Sequence, residues 1–462
     1  MKVLIMGLGI YKDGSGITAT KFFIKKGDEV MITDLKTEKE LKHQINEIKS
    51  FCKKEKKQLP KFVLGKHNIS DVKWADLIVR NPGVPQHSKF LQEAERLGKD
   101  VETDISLFFK KCKSKNIIAV TGTRGKSTTT SLIYEILKKK YKNVLIGGNI
   151  KKSPLSFLKK VKSDDVVVLE LSSWMLENFA SKNIAPHIAV VTNIYPDHLN
   201  SYKNMKEYIS AKKNIFIKQS PADFLVLNLD NKETKKWHAD SKTYFFTKKA
   251  LNNKLGAYIE DGVIKTRRPH KINNVAPINI IKLRGIHNLE NILASVMVAK
   301  IMGVPCAQVR SVLSSFKGIE DRQEVVKERN GITYVNDTTS TTPEACMAAL
   351  ETFGSKDKNI ILIAGGKDKG LEYDELAKKI KKYCKQLVLF KGTASDKIIK
   401  ELKKQKFDKF VIVEDMKDAV LKAEKFAIKN NIILLSPASA SFGLFINEFN
   451  RGEQFKRAIG VK

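Results

Sequence analysis

Short apolar runs rich in Val, Ile and Leu recur along almost the whole chain, and amphipathic stretches lie between them. Runs such as 166–170 and 188–191 are too short for a helix and apolar on both faces, as strands buried in a parallel sheet are. The alternation predicts an α/β architecture. Strands are expected at 2–6, 29–33, 117–120, 166–170 and 188–191, and further along at 332–335, 359–364, 386–389, 409–413 and 432–435. A helix is expected over about 127–140. No internal repeat and no long low-complexity linker interrupts the pattern. It falls into three α/β segments, 1–105, 106–318 and 319–462, and a chain of 462 residues is too long for one ordinary core.

Composition narrows the class. Apolar residues make up 42% of the chain, a globular value, and no run of about 18 apolar residues is present. The N-terminus Met1-Lys-Val-Leu-Ile-Met-Gly7 enters a strand directly, so no signal peptide is expected and the reading is cytoplasmic. The five cysteines are scattered without metal spacing and read as reduced thiols. A formal net charge of +34 invites a nucleic-acid partner. Lysine nevertheless outnumbers arginine and is spread along the chain, not gathered into a stripe with aromatics. A solvated basic surface that attracts polyanionic small molecules is the expectation, with no specific nucleic acid and no membrane insertion.

The chemistry starts at Ala119-Val-Thr-Gly-Thr-Arg-Gly-Lys-Ser-Thr128. A buried strand runs into a turn where Gly122 and Gly125 let backbone N–H groups face an anion. Thr123 and Arg124 stand between the glycines, Lys126 brings a compact cation, and Ser127 brings a hydroxyl for Mg²⁺. The following helix places its N-terminus, starting near Thr128, at the same spot. Only two residues separate the glycines, where the usual phosphate loop has four. Downstream, Glu170 ends a strand, as a Mg²⁺ ligand or as a cap for the next helix. His198 follows a strand beside Asp197, where α/β sites form. Lys212 by itself passes for a surface lysine on a helix. In the first segment Gly7-Leu-Gly9 after a strand, with Asp34 ending the next, suits a nucleotide diphosphate; the third glycine of a dinucleotide fingerprint is missing.

These residues together resemble the Mur ligases. Thr121-Gly-Thr-Arg-Gly-Lys-Ser-Thr128, Glu170-Leu-Ser-Ser173, Asn193 to His198, Ala211-Lys212 and Gly285-Ile-His-Asn288 with Asn291 look like the family's successive ATPase signatures. Glu170-Leu-Ser-Ser-Trp174 and Leu434-Leu-Ser-Pro-Ala-Ser-Ala-Ser441, followed by Phe449 and Arg451-Gly452, resemble its D-glutamate-adding branch. The resemblance spans essentially the whole chain. It implies a Rossmann-like UDP-binding domain, a central phosphate-loop ATPase domain and a C-terminal Rossmann-like domain.

The implied reaction is ATP-driven amide formation in peptidoglycan precursor synthesis. A UDP-N-acetylmuramoyl-L-alanine carboxylate takes the γ-phosphoryl group, and D-glutamate's amine displaces phosphate from the acyl phosphate. The resemblance assigns Ser127 and Glu170 to one Mg²⁺, and His198 and a CO2-derived carbamate on Lys212 to a second. Lys126, His198 and Lys212 become the catalytic set. ATP falls to residues 122–128 with Asn288, Arg322 and Asp337. The UDP substrate falls to Gly9, Asp34, Asn149 and Ser172, and glutamate to Thr341, Lys369, Ser441 and Phe449. A monomer acting on small molecules is expected. Several features depart from the branch: Thr339 stands for a lysine near the glutamate positions, Arg124 for an asparagine and Met175 for a common glutamine, and the Gly7 loop is several residues longer. Arg124 either adds a phosphate contact or points outward. A ligase adding L-glutamate or another amino acid is the competing reading, and a nucleotide-dependent nucleic-acid-binding protein is a remote one.

Overall fold

The computed structural model describes all residues except 12, 151, 198–200, 442 and 462. Its strands form three sheets. In the first, five parallel strands run in the order Lys61–Leu64, Glu29–Asp34, Lys2–Met6, Leu77–Arg80 and Asp100–Glu102. Lys2–Met6 lies between the strands that follow it, so the chain leaves its C-terminal end at a topological switch point, where α/β sheets bind ligands. The turn Gly7-Leu-Gly9, Asp34 and the stretch after Arg80 all emerge there.

The second sheet has nine strands. Its centre is Asn116–Thr121, flanked by Ile188–Val191 on one side and Val166–Glu170 on the other, all parallel. Val144–Gly148 and Phe224–Asn228 extend it, and every residue of Val166–Glu170 and Ile188–Val191 is buried. The expected alternation of strand and helix fails beyond Lys242–Thr247. There Gly256–Glu260, Val263–Arg268 and Lys271–Pro277 pair as an antiparallel meander at the edge of the sheet. Asp261 and Gly262, at φ 51 and 69°, form a two-residue hairpin turn that brings the chain straight back.

The third sheet has six strands, in the order Glu324–Arg329, Ile332–Asn336, Ile432–Leu435, Ile360–Gly365, Cys384–Phe390 and Phe410–Val413. All pairs are parallel except the first, a hairpin closed at Asn330 and Gly331. The five strands expected beyond residue 330 are all present, each within two residues or so of its expected ends. The chain divides into two compact units, Met1–Ile280 with Leu289–Ser314 and Ile281–Asn288 with Ser315–Lys462. Among the described residues no helix is long and apolar enough to cross a membrane.

Candidate active site

The phosphate turn sits at the C-terminal end of the central strand Asn116–Thr121. Gly122 has φ 145° and Gly125 φ 81°. A side chain at Gly122 would enter the Thr192 hydroxyl, and one at Gly125 would enter the Asn291 amide, so both positions require glycine. Gly125 caps the helix Lys126–Leu137 without a side-chain hydrogen bond, which leaves the first-turn N–H groups uncapped for an anion. The helix is shorter than the expected 127–140. Lys139 and Lys140 donate their backbone N–H groups to Ile136 and Leu137, three residues back, and this tightens the end.

The turn is braced from the loop after Ile188–Val191, from the helix Met205–Lys213 and by its own Lys126. Thr192 Oγ1 donates to the Arg124 carbonyl (2.7 Å) and Asn193 Oδ1 accepts from the Arg124 N–H (2.9 Å). Thr123 Oγ1 meets Tyr208 Oη at 3.1 Å. Lys126 Nζ donates to the carbonyls of Gly122 and Thr123 (3.1 and 2.9 Å). The exposed Arg124 guanidinium lies over the Tyr195 ring, 5.7 Å from its centroid.

Glu170 is 1% exposed and ends the strand beside the central one. Its Oε1 accepts from Asn149 Nδ2 at 2.8 Å, while Oε2 is buried and has no partner among the described residues. An orphaned buried carboxylate oxygen is costly unless a donor or cation completes it. The helix Ser173–Leu176 is capped by Ser172, whose Oγ accepts from Met175 N (3.4 Å), so Glu170 is not the cap.

Lys212 belongs to the helix Met205–Lys213 and is 1% exposed, contrary to its surface-like pattern. Its Nζ donates to the Gly122 carbonyl (2.8 Å) and lies 4.9 Å from the Tyr208 ring centroid. Burial, reinforced by the Lys126 charge, holds this amine well below the usual lysine range against the pull of Asp197 and Glu170. A buried amine of this kind gives up its proton more readily than an exposed lysine does, and the neutral form is the nucleophile. His198 lies outside the described residues. Among the described residues no group of three or more His, Cys, Asp and Glu is gathered as a metal cage. The oxygen donors present, Ser127 and the orphaned Glu170 Oε2, suit a hard cation such as Mg²⁺ that keeps several waters.

In the first sheet, Asp34 is buried and accepts backbone N–H groups from Leu8 (2.8 Å), Gly9 (3.3 Å) and Lys36 (2.9 Å). Its Oδ2 shapes the glycine turn from beneath, while Oδ1 holds the backbone at Lys36. Asn149 holds Glu170 through Nδ2.

The C-terminal unit assembles its own switch point. Asp337 is buried and accepts from Ser436 Oγ (2.7 Å) and Gln323 N (3.1 Å). Burial pushes its carboxyl up to about 6, against the pull of Ser436 and Arg322. Ser441 lines a cavity of about 290 Å³ with Gly366, Lys391, Thr393 and the fully buried Arg451. Lys369 is exposed, Phe449 is 50% exposed and Thr341 is half-buried, and none of the three lines that cavity. Thr339 turns inward, its Oγ1 donating to the Asp321 carbonyl at 3.0 Å. In the segment 281–288, Asn288 donates its Nδ2 to the Arg284 carbonyl (2.6 Å).

Family models match nearly end to end. A Mur ligase MurD-like N-terminal domain covers residues 1–103, a Mur ligase middle domain 120–299, and a Mur ligase glutamate ligase domain 321–439. The chain belongs to the Mur ligase family. Its relatives include the UDP-N-acetylmuramoylalanine--D-glutamate ligase of Roseiflexus sp., 37% identical over 470 residues, covering 99% of this chain and 98% of that one. The protein of the same name from Borreliella burgdorferi strain ATCC 35210 is 38% identical, with 99% and 97% covered. Among solved structures, the UDP-N-acetylmuramate-alanine ligase MurC of Thermotoga maritima superposes with a TM-score of 0.61 over 99% of both chains at 20% identity. The three sheets are those of the three-domain Mur ligase fold.

Tyr208, which touches both the phosphate turn and Lys212, was missed by sequence reasoning. Its signal was available: it precedes Lys212 by four residues on a helix, the spacing that stacks two side chains on one face.

Proposed function

We propose that this Mur ligase adds D-glutamate to UDP-N-acetylmuramoyl-L-alanine with hydrolysis of ATP to ADP and phosphate. Relatives of that name at 36–38% identity over nearly the full chain support the reading. The observation that carries it is that a buried carboxylate with one orphaned oxygen, Glu170, and a buried amine, Lys212, both lie beside the phosphate turn, close enough for the Glu170 charge to act on the amine. Glu170 keeps an oxygen beyond its bond to Asn149, and Lys212 is bonded to the turn itself, so both suit a site that manages phosphate charge.

Residues 122–128 cradle the nucleotide phosphates, with Lys126 neutralising charge as two anions approach. Ser127 and Glu170 would hold one Mg²⁺; His198 and Lys212 would hold a second, the Lys212 amine having added to CO2 with loss of a proton to give a carbamate. Bound there, Mg²⁺ would stabilise charge on the transferring phosphoryl group. A carboxylate oxygen of the substrate's alanine bonds to the γ-phosphorus, the bond to the β-bridging oxygen breaks, and ADP leaves. The glutamate amine then bonds to the acyl carbon, phosphate departs and the amine proton is lost.

The three segments 1–105, 106–318 and 319–462 divide the work among nucleotide sugar, ATP and amino acid. Gly9, Asp34, Asn149 and Ser172 serve the nucleotide sugar, with Asp34 and Asn149 acting by holding the glycine turn and Glu170. Asn288, Arg322 and Asp337 serve ATP. Thr341, Lys369, Ser441 and Phe449 serve glutamate, where a lysine opposite a carboxylate is the expected device. The enzyme works as a cytoplasmic monomer on small molecules. The test is ADP release with UDP-N-acetylmuramoyl-L-alanine and each glutamate enantiomer. Stimulation by D-glutamate is expected; stimulation by L-glutamate alone, or by neither, overturns the assignment.

A further inference from the structure

Arg80 ends the strand Leu77–Arg80 of the first sheet and is only 4% exposed. Its guanidinium is spent across two sheets. Nη1 donates to the Val84 carbonyl at 3.0 Å, on the stretch Asn81-Pro-Gly-Val84 that backs the Gly7 turn. Nη2 donates to the Trp174 carbonyl (3.1 Å) and to Glu177 Oε2 (2.8 Å), just beyond the Glu170-Leu-Ser-Ser stretch. The other oxygen of Glu177 accepts from Tyr202 Oη at 3.0 Å. The Tyr202 ring packs 5.5 Å from that of Tyr208, the residue that holds Thr123 and underlies Lys212. Asn214, capping the Lys212 helix, donates Nδ2 to the carbonyls of Leu176 and Glu177 (3.1 and 3.3 Å).

We infer that Arg80 is a positioning residue for the phosphate turn and Lys212, acting through Glu177 and Tyr202 while its other arm holds the 81–84 stretch. A planar fork with five donors can serve Val84, Trp174 and Glu177 at once, and the compact ammonium of a lysine cannot. A salt bridge this buried is weak evidence for net stability, because desolvation offsets much of its attraction. Its bonds instead run from the nucleotide-sugar end of the site to the helix that carries Lys212. The inference rests on the proposed ligase reading for its kinetic readout only.

The test compares Arg80→Met, Glu177→Gln, Tyr202→Phe and the double variant Arg80→Met/Glu177→Gln in the full chain. Arg80→Met leaves Glu177 buried without its partner and is the variant at risk of misfolding, whereas the double variant removes both charges and keeps a hydrogen-bonding group for Tyr202. The expected result is a fall of about tenfold or more in kcat for each of the three single variants, with KM for ATP within about threefold, and no larger loss in the double variant than in Arg80→Met or Glu177→Gln alone. Arg80→Lys should not restore kcat. Amide exchange of Met205–Lys213 should speed up in Arg80→Met and in the double variant, a readout that needs no turnover. Unchanged exchange there overturns the inference, as does a double variant whose losses multiply. If the wild type shows no D-glutamate-stimulated ADP release, the ligase reading fails instead, and the exchange experiment still decides the role of Arg80.

Discussion

At the phosphate turn the polar groups are buried or half-buried and already bonded: Lys212 to Gly122, Lys126 to Gly122 and Thr123, Glu170 to Asn149. On the glutamate side, Lys369 and Phe449 are exposed, and of the four residues expected there only Ser441 lines the 290 Å³ cavity. The difference follows from what each region handles. Charge that develops during phosphoryl transfer is stabilised best by dipoles and cations fixed in advance in a dry site. A selecting residue can wait in solvent, because a lysine and a carboxylate gain most of their mutual attraction when a ligand displaces the water between them.

The comparison can be broken at its buried pole first. Lys212→Ala should lower ligase turnover about 10³-fold, and formate or acetate should restore part of it by standing in for the carbamate; full activity without rescue would remove Lys212 from the site. Glu170→Gln keeps an acceptor for Asn149 but discards the anionic oxygen. A loss of about 10²-fold is expected, together with a higher Mg²⁺ requirement in a titration of initial rate.

Asp337 links the contrast to stability. Its carboxyl is raised to about 6 in the fold, above its value of 3.8 when exposed. The folded state therefore holds this proton more tightly. The resulting stabilisation is fully present below 3.8 and is lost as pH rises through about 6. Urea unfolding of wild type and Asp337→Asn at a series of pH values should differ in slope across this window, by up to about 3 kcal/mol in total. Equal slopes would dismiss the burial account.

At the open pole, Lys369→Ala should raise KM for glutamate about tenfold and spare kcat, since it loses one charge-assisted contact to a substrate. A kcat loss with KM unchanged would instead place Lys369 with the reacting groups. Arg124→Ala is the mildest case. An exposed cation–π pair with Tyr195 contributes about 0.5–1 kcal/mol, so turnover should change by no more than about threefold in the same ADP-release assay.

Much of the fold was legible because its parallel strands are buried on both faces, which writes them as apolar runs of four to six residues. The meander at 256–277 was not, because its strands carry runs of polar residues such as Lys265-Thr266-Arg267 and lack intervening helices. In the site, the phosphate turn was legible from glycine spacing, since only glycine tolerates the φ of Gly122 and Gly125 and their close neighbours. Glu170 was ambiguous between ligand and cap until Ser172 was found in the cap. Asp34 and Asn149 were expected at the nucleotide sugar, and only the structure shows that Asp34 also holds the glycine turn and Asn149 Nδ2 also holds Glu170.

By itself the sequence determined the strand order along the chain, the location of the phosphate turn and membership of the Mur ligase pattern, because these depend on local periodicity and on glycines at fixed offsets. Only the tertiary structure decided that Lys212 is buried against Gly122 and Tyr208, that Glu170 keeps an unpartnered oxygen, and that Arg80 reaches Glu177, 97 residues away. Those properties belong to side chains brought together from separate strands and helices. Burial and charge proximity set the state of an ionisable group, and neither is encoded at the position of the residue itself.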